Sequence, residues 1–170
     1  VGQNGQDLWE SAHLVRPRDN IGWSAYEGGH PFQPHRRRGP TPIVKPTIEH
    51  SHAEFRSLTG GTVYYGDELP DLNGAYVYGD YSTGKIWGAR HRNGRLEWNR
   101  ELAETTLQIV CFRVDAHGRL LVVDTGWLSC GASSEILSEV FEKIGGRRAF
   151  AAKRMGYLPT PCPTTRILEN

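Results

Sequence analysis

The sequence predicts an all-β fold, and three observations carry that prediction. Twenty glycines and ten prolines punctuate a chain of 170 residues, and both mark tight turns, Gly by reaching positive φ and Pro by fixing φ. Seven tyrosines and five tryptophans suit pleated, half-buried surfaces. Between Thr59 and Ala103, short strand-like runs alternate with turn-type clusters at near-even spacing.

The composition, 38% hydrophobic and 23% charged, is that of a soluble globular domain. A formal net charge of +1 supplies no global field for gathering phosphates, which argues against nucleic acid as a partner. No apolar run approaches the roughly 18 to 20 residues that a membrane-spanning helix needs.

In chain order, Leu8 to Val15 reads as a strand, and Asn20-Ile21-Gly22-Trp23 as a turn into a further short strand. His30 to Pro46 follows, an irregular stretch with five prolines. Loops of that length tend to be functional or to run over the surface, so it is a candidate rim loop. Its basic run, His35-Arg36-Arg37-Arg38, lies between Pro34 and Gly39-Pro40 and reads as a solvated loop, because the prolines exclude a helix.

Four strands are then predicted in succession: Gly61 to Tyr65, Ala75 to Tyr81, Lys85 to His91 and Arg95 to Glu101. Asp71-Leu72-Asn73-Gly74, Ser82-Thr83-Gly84 and Arg92-Asn93-Gly94 separate them. Asn93-Gly94 is the strongest hairpin signal, since both residues tolerate positive φ. Four antiparallel strands in about 45 residues is the length of one propeller blade, and the same spacing also fits the edge of a β-sandwich. A second pair, Gln108 to Val114 and Arg119 to Asp124 around His117-Gly118, is how a next blade would start. Tyr65-Gly66-Asp67 against Tyr78-Gly79-Asp80 is the one literal echo.

The end of the chain changes character. Ile136, Leu137, Val140, Phe141 and Ile144 follow a helical spacing closed by Gly145-Gly146, which predicts a helix over about 134–143. Arg147 to Asn170 is poor in apolar residues and is expected to be poorly ordered. Cys111 in its apolar strand reads as a buried thiol, while Cys130 and Cys162 leave a bridge open without signalling one. The chain starts at Val1 with no readable targeting signal.

Trp23, Trp87 and Trp98 read first as core packing and only second as a platform for a sugar. Glu49, His50 and His52 have the chemistry of metal ligands or acid-base groups, against the plainer reading of hydrogen-bonded structural residues.

Taken together and in order, a set of fragments resembles the later blades of the glucose/sorbosone dehydrogenase family, soluble enzymes that use pyrroloquinoline quinone. The fragments are Val1-Gly2-Gln3-Asn4, Asn20-Ile21-Gly22-Trp23, Glu27-Gly28, Glu49-His50-Ser51-His52, Thr59-Gly60-Gly61-Thr62-Val63-Tyr64, Leu69 to Tyr81 and Thr83-Gly84-Lys85-Ile86-Trp87. The resemblance implies the C-terminal blades of a six-bladed propeller over 1–128, with a divergent segment over 129–170 and the earlier blades upstream. It further implies hydride transfer from a sugar to the quinone, a histidine base supplied by an early blade, and a periplasmic or secreted location. The 170 residues alone are then expected to be inactive.

For the cofactors, the resemblance implies calcium met by backbone carbonyls near Gly2 and Gln3, where a proline commonly follows the glycine. A cofactor-holding lysine would fall near Tyr81-Ser82-Thr83 and an arginine pair near Gln108-Ile109-Val110, positions that are neutral here. Arg56 and Arg90 are the candidate substitutes for holding the quinone carboxylates. The alternative is a non-catalytic propeller that binds carbohydrate or protein through its loop face.

Overall fold

The computed structural model describes residues 1–125. The helix expected over 134–143, the Cys130 and Cys162 pair, and the segment 129–170 lie outside the described residues. Among the described residues the regular structure is all β apart from one 3-10 turn, and no helix is long and apolar enough to cross a membrane.

The strands are β1 (Gly2–Gln3), β2 (Trp9–Ala12), β3 (Tyr26–Glu27), β4 (His30–Pro31), β5 (Ile48–Ser51) and β6 (Leu58–Val63). After the 3-10 turn Pro70–Leu72 come β7 (Ala75–Asp80), β8 (Lys85–Arg92), β9 (Arg95–Glu104), β10 (Ile109–Val114) and β11 (Leu120–Asp124). Strands β6 to β9 form one four-stranded antiparallel meander in sequence order. Before it stands a three-stranded sheet, β1-β2-β5, with the β3-β4 hairpin inserted between its second and third strands. After it comes the β10-β11 pair.

The meander is buried on both faces, which distinguishes a propeller blade from a one-sided sheet. Ala75, Val77 and Ile86 point into a core shared with Ile109, Phe112 and Leu120 of the following pair. Tyr78 and Ala89, on the opposite face, pack with Ala12, Ile48, Phe55 and Leu58 on the side of the preceding sheet. The period-2 alternation of strand side chains sends successive residues into two different cores. Edge strand β6 lies beside both β1 and β10, so successive sheets line up along one side. At the other edge, β9 exposes Arg95, Glu97, Arg100, Glu101 and Glu104, charges that guard a free strand edge against pairing.

Turn chemistry sets the ends of the strands. Asn93 and Gly94 both take positive φ between β8 and β9, as the hairpin signal requires. Asp115 closes the β10-β11 turn by accepting from the backbone of His117 and Arg119 and from the Arg119 guanidinium. The Arg119 side-chain bond, with these backbone donors, holds the carboxyl of Asp115 down at about 2.

Several expectations are corrected. The strand placed at Gly61 to Tyr65 is Leu58–Val63, because a register shift between Thr59 and Thr62 absorbs the paired glycines that looked like its entrance. The strand read over Leu8 to Val15 narrows to Trp9–Ala12. Trp23 is 49% exposed and lies outside both cores, since it sits on the β2-β5 excursion and not in a blade. Cys111 is only half-buried, at the irregularity where β10 shifts register against β11. The 30–46 segment begins with a strand, β4, and is tied back by a parallel bridge between Asn20 and Ile43.

The glycine pair in β6 gives a sharp test. A Cβ on Gly61 would lie 1.9 Å from the carbonyl oxygen of Val77, whereas one on Gly60 meets nothing within 4 Å. Gly61→Ala is expected to cost about 2 kcal/mol or more by forcing β6 off β7, and Gly60→Ala to stay within about 0.5 kcal/mol of the parent. Urea unfolding of the two variants side by side measures the contrast, and equal midpoints would refute the β6-β7 register.

Candidate functional site

Four connections converge at one end of the sheets: 4–8, 52–57, 81–84 and 105–108. Buried carboxylates hold them there. The side chain of Asp80, at the end of β7 and fully buried, accepts from the amides of Arg56 and Ser57 through Oδ2 at 2.8 and 2.6 Å. Its Oδ1 accepts from Ser82 and Thr83 at 2.9 and 2.7 Å. One side chain thereby fixes the entry to β6 and the β7-β8 turn together, through four hydrogen bonds that replace lost hydration. The next pair repeats the device, with the Gln108 amide donating to Asp124 Oδ1 at 2.7 Å.

Glu10, on β2, links the other connections. Its Oε2 accepts from the Leu58 amide at 2.9 Å, and its Oε1 meets His52 Nε2 at 2.9 Å and the Gly5 amide at 3.3 Å. Burial pushes its carboxyl up from the usual range, against the pull of the Leu58 amide and of His52. Glu27 of the hairpin accepts from the amides of Gln6, Asp7 and Leu8, and this pins the β1-β2 connection. Thr105 Oγ1 donates to the Gly84 carbonyl at 2.6 Å.

What this end presents is a mixture of neutral and charged groups, with Asp7 and Glu54 exposed. Asn4 Nδ2 donates to Ser57 Oγ at 3.3 Å, Ser82 is exposed, and the Gln108 carboxamide oxygen accepts from Thr125 Oγ1 at 3.3 Å. Arg56 is exposed and its guanidinium makes no ion pair among the described residues. Lys85 is taken up by Glu101 at 2.9 Å.

Gly2 and Gln3 lie in β1, paired with Ala12 and Ser11, and the side-chain oxygen of Gln3 is buried with no hydrogen-bond partner. Arg90 sits at the opposite end of the blade, opposite Ala75. Its guanidinium donates to the carbonyls of Asp71 and Asn73 at 2.7 and 2.9 Å and lies 5.4 Å from the Trp98 ring. The structure therefore does not bring Arg56 and Arg90 together.

The acidic and imidazole side chains of 49–52 separate. Glu49 accepts from the Gly29 amide and faces His30 at 3.7 Å, and His52 belongs to Glu10. His50 is buried against Phe55, ring centroids 4.1 Å apart, with Trp87 edge-on at 4.5 Å. Its Nε2 meets the Tyr78 hydroxyl at 2.7 Å and its Nδ1 meets Glu54 at 3.1 Å, while Tyr78 and Asn99 share a bond of 2.8 Å. Burial lowers the His50 pKa, partly offset by Glu54, and raises that of Tyr78. This chain of polar groups lies within the core between two sheets, so the aromatic and imidazole residues act in packing there.

Sequence inspection missed Glu10, Asp80 and Glu27 as organising groups. The signal was available for Asp80, since Gly79-Asp80 precedes a turn cluster and short acidic side chains bond backbone two or three residues on.

A pH test follows from His50 and from His13, both depressed by burial. Their folded pKa values lie below the unfolded value of about 6.5, so protons bind the unfolded chain first. Stability is full above that value and falls as pH drops through it toward the folded pKa. Glu10, raised in the fold, has the opposite slope at lower pH, from about 4.3 upward. His50→Gln is expected to flatten the decline between about pH 7 and pH 5.5, measured as urea-unfolding free energy against pH. An unchanged slope would show that His50 is not held neutral.

No protein-family model matches the chain. The HIPL1 protein of Arabidopsis thaliana is 33% identical over 95 residues, which cover 49% of this chain and 14% of that protein. Among solved structures, the chain is similar to the PQQ-bound form of aldose sugar dehydrogenase from Streptomyces coelicolor, with a TM-score of 0.56 and 16% identity over 79% of this chain and 36% of that one. A glucose dehydrogenase crystal structure gives a TM-score of 0.55 and 15% identity over 72% of this chain and 37% of that one. The chain thus spans 36% to 37% of the length of these dehydrogenases, and at such identities the likeness is one of fold: antiparallel sheets arranged as in β-propeller dehydrogenases.

Proposed function

We propose that this chain supplies C-terminal blades, over 1–128, of a six-bladed propeller that oxidises a sugar with pyrroloquinoline quinone, in the periplasm or outside the cell. The observation that carries the reading is the convergence of four loops at one end of the sheets, built on backbone-binding carboxylates, in a chain whose fold is similar to part of a PQQ-bound sugar dehydrogenase. Loop ends borne on a rigid scaffold are where binding groups concentrate.

The residues present fit the cofactors in part. The carbonyls of Gly2 and Gln3, with the unpartnered side-chain oxygen of Gln3, are hard oxygen donors of the kind calcium takes. Among the described residues of this end, Arg56 is exposed without an ion pair and is the candidate cation for a quinone carboxylate. Arg90 is committed to the β6-β7 connection and takes no part. When bound, the quinone supplies the acceptor for a hydride leaving the sugar carbon. The chain's own contribution is to position: Asp80 sets Arg56 and Ser57 by their amides, and Glu10 with His52 fixes the strand behind them. The proton-accepting histidine comes from an upstream blade.

A second reading, a propeller that binds carbohydrate or protein without the quinone, is favoured by neutral Ser82 and Gln108 standing where the resemblance implies cations.

Reconstitution of the full-length protein with calcium and the quinone, followed by dye reduction with aldoses, tests the first reading. Turnover is expected, and Arg56→Ala is expected to weaken quinone binding about tenfold, as loss of one charge-assisted bond would, read by absorbance titration. No quinone binding and no turnover would leave the second reading in its place.

A further inference from the structure

The excursion between β2 and β5 carries a surface that the loop-end site does not use. From His13 to Thr47 it holds Arg16, Arg18, Arg36, Arg37, Arg38 and Lys45 against Asp19 and Glu27. Glu27 is buried and spent on three amides, and Asp19 accepts from the Arg16 amide at 2.7 Å. All six cations are exposed, and none forms an ion pair among the described residues. In a chain of net charge +1, this segment concentrates unneutralised positive charge in one place.

Backbone and side-chain ties make the segment a single lobe. Asn20 donates to the Thr41 carbonyl at 3.0 Å, accepts from the Gly22 amide at 3.0 Å, and its carbonyl receives the Val44 amide at 2.8 Å. The basic stretch is thereby stapled to the turn that bears Trp23, closed by the Tyr26 amide donating to the Gly22 carbonyl at 2.9 Å. Trp23, 49% exposed, stacks on Phe32 at 5.6 Å. Arg38 lies over the Tyr26 ring at 5.3 Å, and Arg36 Nε donates to Gln33 at 2.7 Å. Cations and aromatic faces thus stand side by side on the same exposed lobe.

We propose that this lobe docks an anionic polysaccharide, one whose sugar rings carry carboxylate or sulfate groups. Arginine forks match planar oxyanions in a bidentate way, and an exposed indole offers an apolar face to the C–H side of a pyranose while polar groups at its edge stay wet. A nucleic-acid duplex would call for a basic face continuing along its length, but Glu49, facing His30 at 3.7 Å, ends the positive surface at the sheet. The lobe acts independently of quinone chemistry.

Titration of the full-length protein with polygalacturonate, dextran sulfate, neutral dextran and duplex DNA tests this. Binding to both charged polysaccharides, none to dextran, and weakening with added salt are expected. Arg37→Glu, at an exposed side chain with no hydrogen bond or ion pair among the described residues, is expected to lower polygalacturonate affinity about tenfold with an unchanged melting temperature, and Arg36→Ser with Arg38→Ser to add to that loss. Trp23→Ala is expected to lower polysaccharide affinity severalfold and to leave any DNA binding unaltered. Absence of polysaccharide binding, indifference to Arg37→Glu, or DNA binding tighter than polygalacturonate and insensitive to Trp23 would overturn the proposal. A protein that failed to reduce dye yet showed the expected polysaccharide profile would leave the lobe's role intact.

Discussion

The fold of the described residues depends on the buried carboxylate of Asp80. Four backbone N–H groups from two separate connections end on its two oxygens, at the point where β7 stops and β6 begins. Those amides belong to irregular chain and have no sheet partner, so each would otherwise need water that the packed end of a blade excludes. A side chain with two acceptor oxygens serves them all at once, which an amide with one acceptor oxygen and a donor NH2 could not do. Glu10 and Asp124 repeat the device, each accepting the amide of the residue that leads into the inner edge strand, Leu58 or Ile109, or its neighbour. Successive sheets are thus joined at their ends by carboxylate–amide bonds and along their faces by two apolar cores.

This arrangement explains which features the sequence could reveal. Turns with a backbone demand were legible: Asn93-Gly94, Gly84 and Gly118 all take positive φ, and the hairpins stand where those residues predicted. The turn clusters on either side located β7 and β8 to within a residue. The start of β6 was not legible, because Gly60-Gly61 imitates a strand entrance while in the fold it is an irregularity inside the strand, made necessary by the Val77 carbonyl lying where a side chain would go.

Trp23 shows the opposite failure. A large aromatic residue is expected in a core, but the sequence does not say that its turn belongs to an excursion outside the blades. The candidate site was legible as a region and not as a set of groups. Arg56 and the turn at Ser82 share one end of the sheet because both lean on Asp80. Arg90, equally cationic in sequence, is carried to the other end simply because it lies five residues further along β8 than Lys85. Position along a strand, not residue type, decides which cation can serve a site, and that requires the register. Glu10 and Glu27 were illegible for a related reason: their partners lie 48 and about 20 residues away.

The same physics separates the two surfaces for which a function is proposed. At the loop ends, the buried carboxylates are engaged by amides and fix the chain in place, while Asp7, Glu54 and Arg56 stay exposed on the same connections. Among the described residues, a ligand there meets neutral donors and carbonyls, one exposed guanidinium and exposed carboxylates, a mixed surface that suits a polar cofactor or a sugar better than a highly charged polymer. On the β2-β5 excursion the balance is reversed. Of its two acidic side chains, Glu27 is buried to anchor the hairpin and Asp19 accepts from the Arg16 amide, so the six exposed cations outnumber them, and a surface of that kind carries a repulsive cost among like charges that binding an anion would relieve. Anchoring by a buried glutamate and display of exposed arginines are therefore coupled in one segment: Glu27 is turned inward to hold the lobe to the blade, and among the described residues Arg36, Arg37 and Arg38 form no ion pair with it or with Asp19.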